Sequence, residues 1–357
     1  MKVLINRSDA IGDNILTMPM AEALKLKFPD AEIAILTSFI CRDIYKDHPF
    51  IDKVYFLNKK ESYPRKLRKC FQIFDDFKPS HYFYAGGSQT PNFVAWFNRV
   101  NFRGGIKSRI GSFITLNKGV RQRRSQVSGH EIEYNNELLA ELTEFEKKDL
   151  QVLAPKINLT RKQEYIKKFK ELLSSKNLDP NREYIVIHPG MTGHTLNWPS
   201  GNYAELIKRL SLKYNDKYNY IVSFTPSDNL YLTQIREAVS QDEQLKKCTL
   251  FFDGSVEGLE SYMNILSHAK AFLGPSTGTT HLAAVLNVPL VGIYSPIKAQ
   301  SSIRWAPIGK NTIDVVNPDV VCGEEVKCAK QACPYFPCMD KIEVEDIFNK
   351  LITILEK

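Results

Sequence analysis

The run GPSTGTTHLAAVLN (274–287) places Ser276, Thr277, Gly278, Thr279, Thr280 and His281 between an apolar strand and an apolar helix. An ordinary strand-to-helix turn needs one capping hydroxyl, and this one offers four. Such a turn presents free N–H groups, hydroxyls and the positive end of the helix to an anion. Each helix-end contact is worth only ~0.3–1 kcal/mol in the open. Several converging on a diphosphate can hold it and stabilise it as a leaving group. The plain structural role of the same residues is an N-cap and a glycine turn.

A second stretch with chemical potential is RSDAIGDN (7–14), directly after the first apolar run. The GxGxxG fingerprint is absent, so this is not a dinucleotide loop of the usual kind. Asp13 follows Gly12 at the start of a helix. It either complements the helix end or acts as a general base, a contribution worth ~10²–10⁴ in rate. Two further loops follow strands in the second half of the chain. In HPGMTGHTLNWPSGNYAEL (188–206), Met191, Thr192 and Gly193 are candidates for phosphate or sugar contact, and Trp198 for packing. In SFTPSDN (223–229), Asp228 is either an acceptor for ribose hydroxyls or an N-cap.

The net charge of +8 is unevenly spread: no acidic residue occurs from Phe77 to His130. Arg99, Arg103, Arg109, Arg121, Arg123 and Arg124 all lie there, with Lys78, Lys107 and Lys118. Surfaces usually interleave both signs, so this tract suggests a polyanionic partner. Phe93, Trp96, Phe97 and Phe102 are interleaved with it. They suit core packing or an acyl-chain and headgroup surface. No RNA- or DNA-binding motif is recognisable, so a phosphorylated lipid at an anionic membrane is the expected partner rather than nucleic acid.

The elements that must position these residues alternate. Apolar strands are expected at 2–6, 31–37, 53–57 and 81–87, with a helical pattern over 14–28. From residue 184 the pattern restarts, with strands at 184–190, 220–226, 248–254, 271–276 and 289–296 separated by amphipathic helices. Strands separated by helices imply parallel crossovers in an α/β layer fold. With 357 residues and 43% hydrophobic composition, two domains are expected. Their bounds are 1–175 and 176–340, followed by a C-terminal helix over 341–357. Two such units facing a central cleft would place ligands at the carboxyl ends of the strands.

The N-terminus lacks the continuous apolar region of a secretory signal, and no stretch is long enough to span a bilayer. A cytoplasmic location is expected, with surface attachment to a membrane left open. Cys322, Cys328, Cys333 and Cys338 fall in one window without a CxxC pair. A reduced, partly buried loop and a metal or redox role both stay open. The sequence does not set an oligomeric state.

Together, Gly12-Asp13, HPG (188–190), NWP (197–199), TPSD (225–228), FLGPSTGTTHLAAVLNVPLVGIYSP (272–296) and the cysteine cluster resemble glycosyltransferase family 9, the bacterial heptosyltransferases. The resemblance runs over nearly the whole chain in the same order. It implies the GT-B fold, with two Rossmann-like domains and a donor held mainly by the second. It also implies inverting, metal-independent transfer of a heptose from ADP-heptose to the lipopolysaccharide inner core, with no cofactor beyond that donor substrate. Peripheral attachment at the inner face of the bacterial inner membrane is implied by the same resemblance. Carried over by position, Asp13 is the base and Ser276 to His281 form the donor loop. Met191 and Thr192 approach the diphosphate, and Asp228 the ribose. The acceptor, a phosphorylated lipid-linked sugar, falls to the basic tract with Arg99, Arg103, Arg109, Arg121, Arg123 and Arg124. Two positions depart from the family: Ser276 stands where Asp is common, and Leu196 where Lys or Arg is common. Both bear on which sugar is carried. Competing readings are a GT-B transferase using another nucleotide sugar for a different envelope glycan, and a non-catalytic polyanion- or membrane-binding module.

Overall fold

The computed structural model describes residues 1–146, 152–191, 193 and 195–357. The chain divides into two units, Met1–Arg124 with Ser128–Asn158, and Ser125–Val127 with Leu159–Lys357.

The first unit is built on six strands: β1 (Lys2–Arg7), β2 (Glu32–Thr37), β3 (Lys53–Phe56), β4 (His81–Gly86), β5 (Phe102–Ile106) and β6 (Lys118–Val120). All neighbours pair in parallel, in the order β3-β2-β1-β4-β5-β6. A parallel sheet is covered by helices on both faces, so its central strands read as continuous apolar runs. Val3, Leu4, Ile5, Ile33, Ala34 and Leu36 are accordingly buried. The single helix expected over 14–28 is instead two, Ile11–Ile15 and Met18–Lys27. Thr17 separates them, its hydroxyl donating to the Asp13 carbonyl at 2.8 Å.

Strands β5 and β6 were not legible as apolar runs. FRGGI carries two glycines and KGV has only three residues, a composition that disfavours strands in isolation. Edge pairing along an existing sheet overrides it. Close packing also explains Gly104, where a methyl group would stand 2.7 Å from the Phe102 ring.

The second unit repeats the plan with β7 (Glu183–Ile187), β8 (Tyr218–Phe224), β9 (Thr249–Asp253), β10 (Ala271–Pro275), β11 (Leu290–Ile293) and β12 (Ile313–Val316). Its order is β12-β11-β10-β7-β8-β9, again all parallel. The boundary lies earlier than the expected 175/176. The helix Gln163–Ser175 belongs here because Phe169 packs its ring on Tyr184 and Phe252, at 5.2 and 5.6 Å. The C-terminal helix Val344–Leu355 is not an appendage either. Its Ile347, Leu351, Ile354 and Leu355 join the core of Ile185, Tyr203, Leu210 and Val291. Trp198, 1% exposed, anchors that region by donating from its indole N–H to the Ile342 carbonyl at 2.8 Å.

In both sheets the strand order reverses once, between β1 and β4 and between β10 and β7. At such a reversal the flanking connections leave on opposite faces of the sheet, and the carboxyl ends of the two strands open a crevice where ligands bind.

Candidate active site

The first reversal point carries Arg7 to Asn14 after β1 and Gly86 to Gln89 after β4. The β1–β4 register shifts between Asn6 and Arg7, so Asn6 pairs with Tyr84 and Arg7 with Gly86. Gly87 lets the two loops touch: its φ is +83°, and a methyl group there would lie 2.6 Å from Ser8 Oγ. Ser8 Oγ accepts from the Ser88 N–H at 2.9 Å, and the Asn6 amide donates to the Ser88 carbonyl at 2.8 Å. Asn14 fixes the other side, accepting at Oδ1 from Thr37 (2.7 Å) and Tyr45 (3.0 Å). The loop is thus held rigidly at its base by neutral hydrogen bonds.

Its charges form one connected set. Arg7, 4% exposed, donates to the Ala85 carbonyl at 2.5 Å and to Asp9 Oδ1 at 3.1 Å, and pairs with Asp13 Oδ1. It also faces Glu131, fully buried, at 3.4 Å, and Glu131 pairs in turn with Arg124. Burial alone would lower the Arg7 pKa; the charges of Asp9, Asp13 and Glu131 outweigh it and raise it. Burial pushes Asp9 up to about 6, against the pull of Arg7 and helped by the charge of Asp13. Asp13 itself keeps 24% side-chain exposure and is bound to Arg7 through one oxygen. A carboxylate oriented on one side and open on the other suits proton abstraction.

Glu131 was not foreseen. It opens the helix Glu131–Glu137, and Asn135, one turn on and also fully buried, donates to the Leu16 carbonyl at 2.9 Å. The signal available in the sequence was HEIEYNN, where Glu131 and Asn135 stand at i, i+4 and so share one helix face.

Two of the six arginines expected to meet the acceptor are committed elsewhere. Arg103 donates to the Thr115 carbonyl at 2.8 Å and the Val100 carbonyl at 2.5 Å, a lock on the β5 strand. Arg124 is held by Glu131, by Gln122 at 2.7 Å and by Asn135 at 3.3 Å. Both therefore act as structural ties within the first unit. Arg99, Arg109, Arg121 and Arg123 are exposed.

The second reversal point carries His188 to Met191 after β7 and Ser276 to His281 after β10. The helix Gly278–Val285 begins with Thr277 as N-cap, in extended geometry, and the Thr277 side chain makes no capping hydrogen bond. The Thr277 hydroxyl pairs instead with that of Thr279 at 2.7 Å, and Thr277, Gly278 and Thr279 are all half-buried. A helix start whose N-cap side chain turns to a neighbouring hydroxyl suits an anion, which backbone N–H groups and both hydroxyls can meet. The rest of the run divides from it. Thr280, fully buried, donates to the Pro275 carbonyl at 2.5 Å. Ser276 is 9% exposed and His281 4%. Thr280 is therefore a structural tie between β10 and the helix rather than an open donor contact.

Asp228 is likewise buried, at 3% exposure, and accepts from the Thr225 N–H and hydroxyl, both at 2.8 Å. It caps the turn Pro226–Tyr231 and lies so close to Gly190 that a methyl group there would be 2.3 Å from its carboxyl carbon. The capping role expected as one alternative is the one the geometry displays. Met191 is buried at 5% exposure, and Thr192 lies outside the described residues. Leu196 packs against the core of this unit. Cys322, Cys328, Cys333 and Cys338 are free thiols lining one small cavity with Leu196, Tyr335 and Phe336. Among the described residues, no three His, Cys, Asp or Glu side chains are placed to hold a metal ion.

Two parallel six-stranded α/β units, each with one reversal of strand order, are the architecture of the GT-B fold. The chain superposes on the Escherichia coli ADP-heptose lipopolysaccharide heptosyltransferase II with a TM-score of 0.76, covering 100% of this chain and 99% of that one at 17% identity. It matches a glycosyltransferase family 9 structure from Veillonella parvula with a TM-score of 0.77, covering 99% and 97% of the two chains at 17% identity. At that identity these likenesses speak for the fold. In sequence, the chain is 24% identical over 372 residues to lipopolysaccharide heptosyltransferase 1 of Campylobacter coli, covering 98% of this chain and 97% of that protein. The model of glycosyltransferase family 9 (heptosyltransferase) matches residues 89–335. The chain belongs to that family, and it is a glycosyltransferase.

Proposed function

We propose that the protein transfers a heptose, with inversion and without a metal, from ADP-heptose to a phosphorylated lipid-linked sugar of the lipopolysaccharide inner core. The observation that carries this reading is the pairing of chemistries at the two reversal points: an open, oriented carboxylate in one unit and a hydroxyl-rich helix start in the other. The similarity to lipopolysaccharide heptosyltransferases supports the choice of sugar and pathway.

In this mechanism Asp13 accepts the proton of the acceptor hydroxyl as its oxygen forms a bond to the anomeric carbon. The bond from that carbon to the donor diphosphate breaks on the opposite face, which inverts the configuration. Arg7 holds one Asp13 oxygen and so turns the other toward the acceptor. The leaving diphosphate meets the N–H groups of Gly278 and Thr279 and the hydroxyls of Thr277 and Thr279, where developing charge is stabilised. No cofactor enters, and the diphosphate charge is met by hydrogen-bond donors and the helix end.

A second reading, transfer of a different nucleotide sugar, is favoured by Ser276 and Leu196. A buried serine and a partly buried leucine packed against the core stand where a carboxylate and a cation are usual, and neither side chain carries a charge. Calorimetry with ADP-heptose and with UDP- and GDP-sugars, followed by transfer assays in EDTA and NMR of the product linkage, tests both. The primary reading expects ADP-heptose binding, EDTA-insensitive turnover and an inverted linkage. Binding of only a uridine or guanosine donor would replace it with the second.

A further inference from the structure

The short helix Ile110–Thr115, IGSFIT, is amphipathic in the wrong sense for a water-facing element. Its hydroxyl residues point inward: Ser112 is fully buried and accepts from the Ser108 N–H at 3.2 Å, and Thr115, 7% exposed, donates to the Gly111 carbonyl at 2.6 Å. Its apolar residues point outward, with Ile110 82%, Phe113 51% and Ile114 66% exposed. A helix on a globular surface normally buries its apolar stripe. The neighbouring helix Thr90–Phe97 adds Trp96 at 44% and Phe97 at 60% exposure. Singly exposed apolar residues are ordinary, but five large ones on two adjoining helices mark an interaction surface.

The exposed charges of the tract from residue 99 to 123 have one sign. Arg99, Arg109, Lys118, Arg121 and Arg123 are exposed, and among the described residues none of them has a carboxylate partner. The strand before this helix, β5, runs parallel to β1. The helix therefore starts at the same carboxyl edge of the sheet as Arg7 and Asp13.

The geometry points to a bilayer rich in phosphate-bearing anionic lipids as the occupant of this surface. Ile110, Phe113 and Ile114 enter the boundary between headgroups and acyl chains, and the arginines meet lipid phosphates. Two other occupants fit less well. Ile110 and Ile114, the most exposed of the set, have no ring on which a nucleic-acid base could stack. A second copy of the chain, packed face to face, would bring the same cationic rim against itself. This inference deepens the proposed function and rests on its lipid-linked acceptor: the protein would dock beside the membrane in which that acceptor sits.

The test is flotation of the full chain with phosphatidylglycerol–phosphatidylethanolamine vesicles and with pure phosphatidylcholine vesicles. The substitutions Ile110→Ser, Phe113→Ser and Ile114→Ser are made together, with thermal unfolding as the check on folding. Binding to the anionic vesicles is expected to be salt-sensitive and to fall by about tenfold or more in the triple variant. Transfer to a deacylated, water-soluble acceptor should be unchanged. Equal vesicle binding by parent and variant would overturn the inference. So would loss of a dimer in the variant, or salt-sensitive RNA binding without vesicle binding. Absent transfer to the soluble acceptor by the parent would instead count against the proposed function and leave the docking surface standing.

Discussion

The loop after β1 and the loop after β10 occupy matching places, each following a central strand beside the one reversal in its sheet. They are made of opposite materials. Around the first, Arg7, Asp9, Asp13, Glu131 and Arg124 join ion pairs, most of them deeply buried. The second offers the start of the helix Gly278–Val285 and the hydroxyls of Thr277 and Thr279. A proton acceptor must be a side chain held in one direction, and that takes counter-charges. A diphosphate brings its own charge and needs only donors, which backbone supplies. Loss of one side chain should therefore be severe in the first loop and graded in the second.

The widest separation is expected at Asp13. Asp13→Asn keeps the shape and the contact to Arg7 but cannot accept a proton, and transfer should fall by ~10²–10⁴. Donor affinity by calorimetry should stay within a few-fold, because the donor is assigned to the other unit. Turnover close to that of the parent would remove Asp13 as the base. Glu131→Gln comes next, because it leaves Arg7 and Arg124 buried with one counter-charge fewer. Breaking a buried pair from one side costs ~3–5 kcal/mol. Denaturant unfolding measures it, and turnover should fall with little change in acceptor KM as the Asp13 orientation loosens.

Asp9 gives a pH-dependent version of the same comparison. Its pKa rises from 3.8 to about 6 on folding, chiefly by burial. Below about pH 4 it is protonated in folded and unfolded chains alike, and its contribution to stability is fully present. As the pH climbs from about 4 to about 6 the unfolded chain releases the proton first, and that stability is lost. Asp9→Asn cannot ionise. It should match the parent below about pH 4 and exceed it above about pH 6, by about 1–2 kcal/mol after allowance for the partly exposed side chain. A variant less stable than the parent at pH 7 would mean that the Arg7–Asp9 attraction outweighs burial.

What could be read in the sequence follows the same division. The alternating apolar runs announced two α/β units, since fully buried parallel strands are continuous in composition. The loops after β1 and β10 could be picked out because hydroxyls, glycines and carboxylates cluster within a few residues. Glu131 was hidden because its partners Arg7 and Arg124 are distant or look like solvent-facing charge in the chain. The ties of Arg103 and Arg124 within the first unit were hidden for a related reason: a basic tract does not say which guanidinium reaches a backbone carbonyl or a buried carboxylate. Ile110, Phe113 and Ile114 were missed because a six-residue helix is too short for periodicity to fix its buried face.

The hydroxyls after β10 supply the finest test, because neighbours in sequence are expected to behave differently. Thr280→Val removes a buried donor and leaves the Pro275 carbonyl without it, a loss of about 1–3 kcal/mol in unfolding free energy. Donor KM should hardly move. Thr277→Val and Thr279→Val remove half-buried hydroxyls that bond to each other, so stability should hold within about 0.5 kcal/mol. Each should raise donor KM by only about two- to fivefold, the size of one helix-end contact of ~0.3–1 kcal/mol. The pair together should exceed either alone, since the remaining N–H groups carry the rest of the diphosphate charge. If Thr280→Val shifted donor KM as strongly as Thr277→Val, the split between tie and contact within this loop would be lost. With it would go the reason for treating the two loops as different kinds of site.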